Sequence, residues 1–260
     1  MIEQRFDRGV HLRSAGTGER GTLLLIHGLG ESGLAFEGLL RSPRLAPWKM
    51  LAPDLPGYGK SPWGAKTLSL EEVALAVGRW FAARPEGAVV VVGHSMGGVV
   101  GTLFCERFAS EVRGLVNVEG NVSPGDCIFS SRIAAHPADT FETAALPGLL
   151  DSVYRAGLDD RPMRTYFASM SLADARQLHR HSVELTEISG TETLARHQAA
   201  LGVPSIYLLG DPRGTGERSR ALLEEAGVRW RAIPDAGHWV FLDQPELFED
   251  ELLAFLDTLD

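Results

Sequence analysis

Hydrophobic positions along this chain follow two rhythms. Short, continuous apolar runs occur at residues 22–28 (TLLLIHG), 88–93 (AVVVVG), 114–120 (GLVNVEG) and 204–210 (PSIYLLG). Unbroken apolar character predicts strands covered on both faces, and a closing glycine on each run predicts a sharp turn at its carboxyl end. Other stretches repeat apolar residues every three or four positions. SLEEVALAVGRWFAA, from Ser69, predicts a serine-capped helix; GERSRALLEEAG predicts one closed by Gly227; PELFEDELLAFLDTL predicts one with proline in its first turn. VRWRAIP, at 228–234, predicts a further strand.

Strands alternating with helices predict an α/β fold with a mostly parallel central sheet flanked by helices. Residues 121–200 break the alternation: they hold no strand-like run, carry Pro124, Pro137, Pro147 and Pro162, and contain several short helical patterns. So long an insertion predicts a helical cap (121–200) over a core made of residues 1–120 and 201–260. The edge to be capped is the carboxyl end of the strands, where open α/β sheets bind ligands.

Composition narrows the possible partners. The chain has 260 residues, 44% of them hydrophobic, enough for a substantial core. With 25 basic against 34 acidic side chains, the net charge of −9 argues against nucleic acid and anionic lipid as partners. The amino terminus lacks the apolar core of a signal peptide, and no run approaches the roughly 18 apolar residues of a membrane span. Cys105 and Cys127 are too few for a disulfide framework, so free thiols in a reducing cytoplasm are expected. Nothing in the sequence fixes the oligomeric state.

The chemistry centres on VVVVGHSMGGVV, residues 89–100. A buried strand running straight into a helix strains the residue at the bend, and glycines at Gly93 and Gly97 remove side chains that would collide there. Ser95 is left projecting at the sheet edge. A serine hydroxyl is a weak nucleophile at neutral pH and needs a base, for which His238, in AGHWVFLDQPELF, is the candidate. His179 and His181 stand two apart, off a common helix face, and no zinc-type ligand pattern occurs.

The elbow, the HGLG turn at 27–30 and AGHWVFLDQPELF together resemble the α/β-hydrolase family, over nearly the whole length. The resemblance implies Ser95 as nucleophile and His238 as base, with backbone amides of Leu29 and Met96 as the oxyanion hole and their side chains free to line the pocket. It implies structural roles for His27 and His94, and a turn-shaping role for Asp54 in PDLPGYGKSP. A serine elbow argues against the relatives that use aspartate there, haloalkane dehalogenases and epoxide hydrolases. GLGESG mimics part of a nucleotide fingerprint but fits the oxyanion turn, and no cofactor is implied.

The third group must hold the imidazole in one tautomer. Family members commonly place an aspartate three past the glycine of SIYLLG, where this chain has Arg213; the nearest acid there is Asp211. Glu119, ending the apolar strand LVNVE, is the favoured reading, with Asp211 the alternative; EGNVSPGDCIFSSRI is similar to a motif of a bacterial subset in which an EGN turn enters the cap. Asp243 is expected to cap the last helix.

These residues predict an acyl-enzyme hydrolase acting on a small acyl substrate, first of all a carboxylic ester or lactone. Tyr154, Tyr166, Phe167 and Met170 offer an apolar pocket, and Arg155, Arg161 or Arg164 a partner for an acidic group. Thioesterase, C–C bond hydrolase and acyltransferase remain open, as does a non-catalytic small-molecule binder on the same scaffold.

Overall fold

In the computed structural model, which describes residues 1–259, the apolar runs form the middle of one eight-stranded sheet. Its strands are β1 (Glu3–Asp7), β2 (Val10–Ala15), β3 (Gly21–Ile26), β4 (Trp48–Pro53), β5 (Val89–His94), β6 (Val112–Val118), β7 (Ser205–Arg213) and β8 (Trp230–Gly237). Across the sheet the order is β1-β2-β4-β3-β5-β6-β7-β8. β2 pairs antiparallel with β1 and β4, and every other pairing is parallel. The four valines of β5 are fully buried, each contributing roughly 1.5–3 kcal/mol relative to an exposed side chain.

The first helices are α1 (Glu37–Leu40), α2 (Leu70–Ala82) and α3 (Met96–Arg107). Ser69 and Glu72 close a reciprocal capping box at the start of α2. Between β6 and β7 lie five α-helices and no strand: α4 (Ile128–Ala134), α5 (Leu146–Ala156), α6 (Arg161–Met170), α7 (Ala175–Gly190) and α8 (Leu194–Ala199). The chain finishes with α9 (Glu217–Glu225), α10 (Val240–Asp243) and α11 (Pro245–Leu256). Gly227, at φ +72°, follows α9, and Pro245 opens α11. No helix among the described residues is long and apolar enough to cross a membrane.

β1, β2 and β4 lie outside the apolar runs read from the sequence. β1 is exposed along almost its whole length, so its sequence carries no burial signal. β7 also departs from expectation: it passes through Gly210 and continues to Arg213, because Gly210 to Arg213 stay paired with β8. The parallel register aligns Ile26, Gly93 and Asn117 across β3, β5 and β6, bringing the loops that follow these strands to one edge.

Candidate active site

β5 ends at His94 and α3 begins at Met96, leaving Ser95 alone in the bend at φ 53°, ψ −123°. That is a strained conformation for a residue with a side chain. A Cβ on Gly93 would lie 2.2 Å from Gly97 O, and one on Gly97 would lie 2.1 Å from Ile26 O. Both obstacles are backbone atoms, which cannot swing aside. This is the physical reason for a glycine two positions to either side of the serine.

Glu119 follows β6 directly and also has positive φ, 53°. Its carboxylate is buried, with Oε1 accepting from Gly210 N (2.7 Å) and Thr215 N (3.1 Å). The other oxygen, Oε2, lies 3.3 Å from His238 Nδ1. Gly214 makes room for this arrangement, since a Cβ there would stand 2.3 Å from Glu119 Oε1. Asp211 takes no part in it: held in β7, it pairs with Arg220 at 2.8 Å and is half-exposed. Asp243 does not cap α11 as expected. Its Oδ2 accepts from Gly237 N at 2.7 Å, fixing the residue before His238, while Gln244 begins α11 with no side-chain cap.

Ser95 and His238 line one pocket, with Leu29, Phe129, Tyr166 and Trp239 supplying apolar walls. No hydrogen bond joins Ser95 Oγ to His238; hydroxyl–imidazole contacts are often loose in a site without substrate. The Leu29 side chain lines the pocket as expected. That of Met96 does not: it is fully buried, its sulfur 4.0 Å from the Tyr58 hydroxyl. Of the insertion's candidates only Tyr166 faces the pocket. Tyr154 and Phe167 pack on each other at 5.3 Å, and Met170 is buried in the core. The arginines also lie elsewhere: Arg155 pairs with Asp151, Arg164 donates to the carbonyls of Gly157 and Leu158, and Arg161 is not among the lining residues. Arg155 is satisfied within α5 and Arg164 by the loop between α5 and α6, so neither has reason to turn inward.

One participant was invisible in the sequence. Glu31, inside GLGESG, is buried and accepts from Gly28 N (2.7 Å), Trp239 Nε1 (2.5 Å) and His94 Nδ1 (3.0 Å). The other His94 nitrogen, Nε2, lies 2.9 Å from His238 O. A carboxylate and a carbonyl both only accept, so both His94 nitrogens must donate and the ring is an imidazolium. Burial alone would raise the Glu31 carboxyl, but the charge and hydrogen bond of His94, with donors from Gly28 and Trp239, hold it at about 2. Burial likewise opposes the charge on His94, and Glu31 prevails, raising His94 above its ordinary value. An acid following a glycine turn, with a histidine before the serine and a tryptophan after His238, was the available signal.

His27, Asp54, His179 and His181 are held by structural bonds. His27 donates from Nδ1 to Gly28 O and accepts Leu55 N on Nε2, so it is neutral, in line with the lowering that burial causes. Asp54 is buried and accepts from Gly33 N, Lys60 N and Arg13 at 2.8 Å each, tying the turns after β3 and β4 together. His181 bonds Tyr58 and Leu68 O, and His179 bonds His136 O. No group of three or more His, Cys, Asp or Glu among the described residues is disposed to hold a metal ion.

Known proteins resemble this chain along nearly its whole length. The 2-succinyl-6-hydroxy-2,4-cyclohexadiene-1-carboxylate synthase of Serratia proteamaculans is 27% identical over 256 residues, spanning 93% of this chain and 95% of the relative. The pimeloyl-[acyl-carrier protein] methyl ester esterase of Proteus mirabilis is 28% identical over 259 residues, spanning 91% and 93%. Among solved structures, a variant of the N-acyl homoserine lactonase AidH superposes with a TM-score of 0.80 at 21% identity, covering 100% of this chain and 98% of that one. The family model of the alpha/beta hydrolases matches residues 23–251, and with the sheet order and the bend at Ser95 already described, this chain belongs to the alpha/beta hydrolase family.

Proposed function

We propose that this chain is a serine hydrolase that cleaves a small carboxylic ester or lactone through an acyl-enzyme on Ser95. One observation carries the reading: Ser95, strained into the bend, shares a pocket with His238, whose Nδ1 faces the buried Glu119 carboxylate. In this scheme Ser95 Oγ attacks the acyl carbon while His238 Nε2 takes its proton. Glu119 Oε2 holds the Nδ1 proton and stabilises the imidazolium; its Oε1 is already occupied by two amides, which fixes the carboxylate. The backbone amides of Leu29 and Met96 meet the oxyanion, Met96 at the amino terminus of α3. The alkoxy group leaves with the proton from His238. Water, deprotonated by the same imidazole, then releases the acid and restores Ser95.

The helices of residues 121–200 act as a cap over the core of 1–120 and 201–260, contributing Phe129, Tyr166 and Leu185 to the pocket. The buried free thiols Cys105 and Cys127 suit a reducing cytoplasm. An uncharged ester or lactone fits this pocket better than a carboxylated molecule such as the product that names the Serratia relative. No arginine or lysine lines the pocket, whereas Glu31 and Asp126 do.

A fluorophosphonate probe tests the reading. Labelling of the native chain that disappears in Ser95→Ala is the expected result. A folded native chain that does not label would instead favour a non-catalytic binder.

A further inference from the structure

One wall of the pocket is polar and comes from a single stretch, Asn121, Asp126 and Ser130. Asn121 donates its amide nitrogen to Asp126 O (3.3 Å) and Cys127 Sγ (3.6 Å). Two acceptors thereby set the orientation of the amide, and its carbonyl oxygen, Oδ1, is left buried without a partner. Asp126 is similarly fixed: Oδ2 accepts from Val122 N (2.7 Å), Ser123 N (3.0 Å) and Ser219 Oγ (2.8 Å). Among the described residues no hydrogen bond reaches Asp126 Oδ1 or Ser130 Oγ, and Ser130 is 3% exposed.

The other carboxylates nearby are committed, Glu31 to three donors and Glu119 to two amides and His238. Asp126 also lines the adjoining outer pocket, where Arg213 is the one arginine or lysine, and that arginine is exposed and bonded to Asp235 O. The polar wall therefore offers two acceptor oxygens and one hydroxyl, in a pocket otherwise closed by aromatic rings. An acceptor-rich wall costs free energy when empty of donors and gains it when a donor arrives.

We propose that Asn121, Asp126 and Ser130 form a subsite for a hydrogen-bond donor on the acyl part of the substrate, a hydroxyl, amide N–H or ammonium group close to the scissile carbonyl. This rests on the hydrolase reading for the bond broken, but not for the binding itself. A hydroxyacyl ester is favoured over its plain counterpart, and a carboxyacyl ester is disfavoured by the Asp126 charge.

The test uses esters of butanoate, 3-hydroxybutanoate and succinate with one shared leaving group, all at pH 8. Native enzyme should prefer the hydroxy ester over the plain one by about 10- to 100-fold in kcat/KM, as one hydrogen bond to a charged group allows. Asp126→Asn keeps an oxygen for the two amides and Ser219 while turning an NH2 toward the pocket. Its hydroxy preference should fall at least about tenfold, and the succinyl ester should gain relative to both. Asn121→Leu should lower the hydroxy preference without the succinyl gain. These are ratios within one preparation, so partial misfolding of a variant does not alter them. A native ratio near one, or a ratio unchanged in both variants, would overturn the subsite.

A second arm separates this from failure of the hydrolase reading. Calorimetry on Ser95→Ala protein should find 3-hydroxybutanamide bound at least about tenfold more tightly than butanamide. Equal affinity there overturns the subsite whether or not the native chain turns over esters.

Discussion

Glu31 Oε2 lies 3.0 Å from His94 Nδ1, and both side chains are buried, Glu31 in the wall of the pocket. Through Gly28 N and Trp239 Nε1 the same carboxylate ties the turn carrying Leu29 to the loop carrying His238, while His94 bonds His238 O. The pair thus joins the segments that the proposed chemistry needs.

Three donors converge on two oxygens of Glu31, so a glutamine there must point its NH2 at either the Trp239 indole or the Gly28 amide. Glu31→Gln is therefore expected to cost about 3 kcal/mol, as breaking a buried pair does, and to lower the melting temperature by roughly 6–12 °C. NMR of the native protein should show both His94 ring protons near neutral pH. A variant melting within about a degree of native would contradict the account.

The acid can be assigned by ranking two neutralised variants on an activated ester. Glu119→Gln should reduce turnover by about 100-fold or more, because the His238 imidazolium loses its charge partner. Asp211→Asn should change it less than about threefold, since Asp211 meets Arg220 and not the imidazole. The reverse ranking would transfer the role to Asp211.

Gly97→Ala places a methyl group 2.1 Å from Ile26 O, and Gly93→Ala one 2.2 Å from Gly97 O. Each should destabilise the fold by more than about 3 kcal/mol, at the severe end for single substitutions. Gly148→Ala, with open space around it, is the control, expected within about 1 kcal/mol of native. Chemical denaturation that ranks all three alike would refute the steric argument.

Stability should fall on the acid side. Burial holds His181 down at about 3, so between pH 6.5 and about 3 the unfolded chain binds a proton that the folded chain refuses. Glu31, held at about 2 against 4.5, adds the same sign of dependence between those values. Stability rises with pH wherever the unfolded state binds more protons, so these groups together should remove a few kcal/mol on going from pH 7 to 3. Replacing His181 by Gln should flatten the upper part of that slope in denaturant titrations; an unchanged slope would show that other groups set it.

The central strands, the helices α2, α9 and α11 and the helical character of the insertion were all legible, because continuous and 3.6-residue apolar rhythms directly report burial. The bend at Ser95 was legible as well: two glycines around a serine, between an apolar strand and a helix, have one steric explanation. The amino-terminal hairpin was not, since an edge strand open to solvent leaves no such rhythm.

What the sequence by itself determined is therefore the local part: which segments are strands, which residue sits at the strained turn, and which histidine follows the last strand. Tertiary structure alone decided which charges meet. The sequence favoured Glu119 and kept Asp211 as the alternative; in the fold β7 keeps its pairing with β8 past Gly210, leaving Asp211 on Arg220 and folding Gly214 and Thr215 over Glu119. The same holds for Glu31, 63 positions from His94 and 208 from Trp239. Hydrogen bonds act over about 3 Å in space, and linear spacing carries no record of which distant loops the sheet brings to one edge.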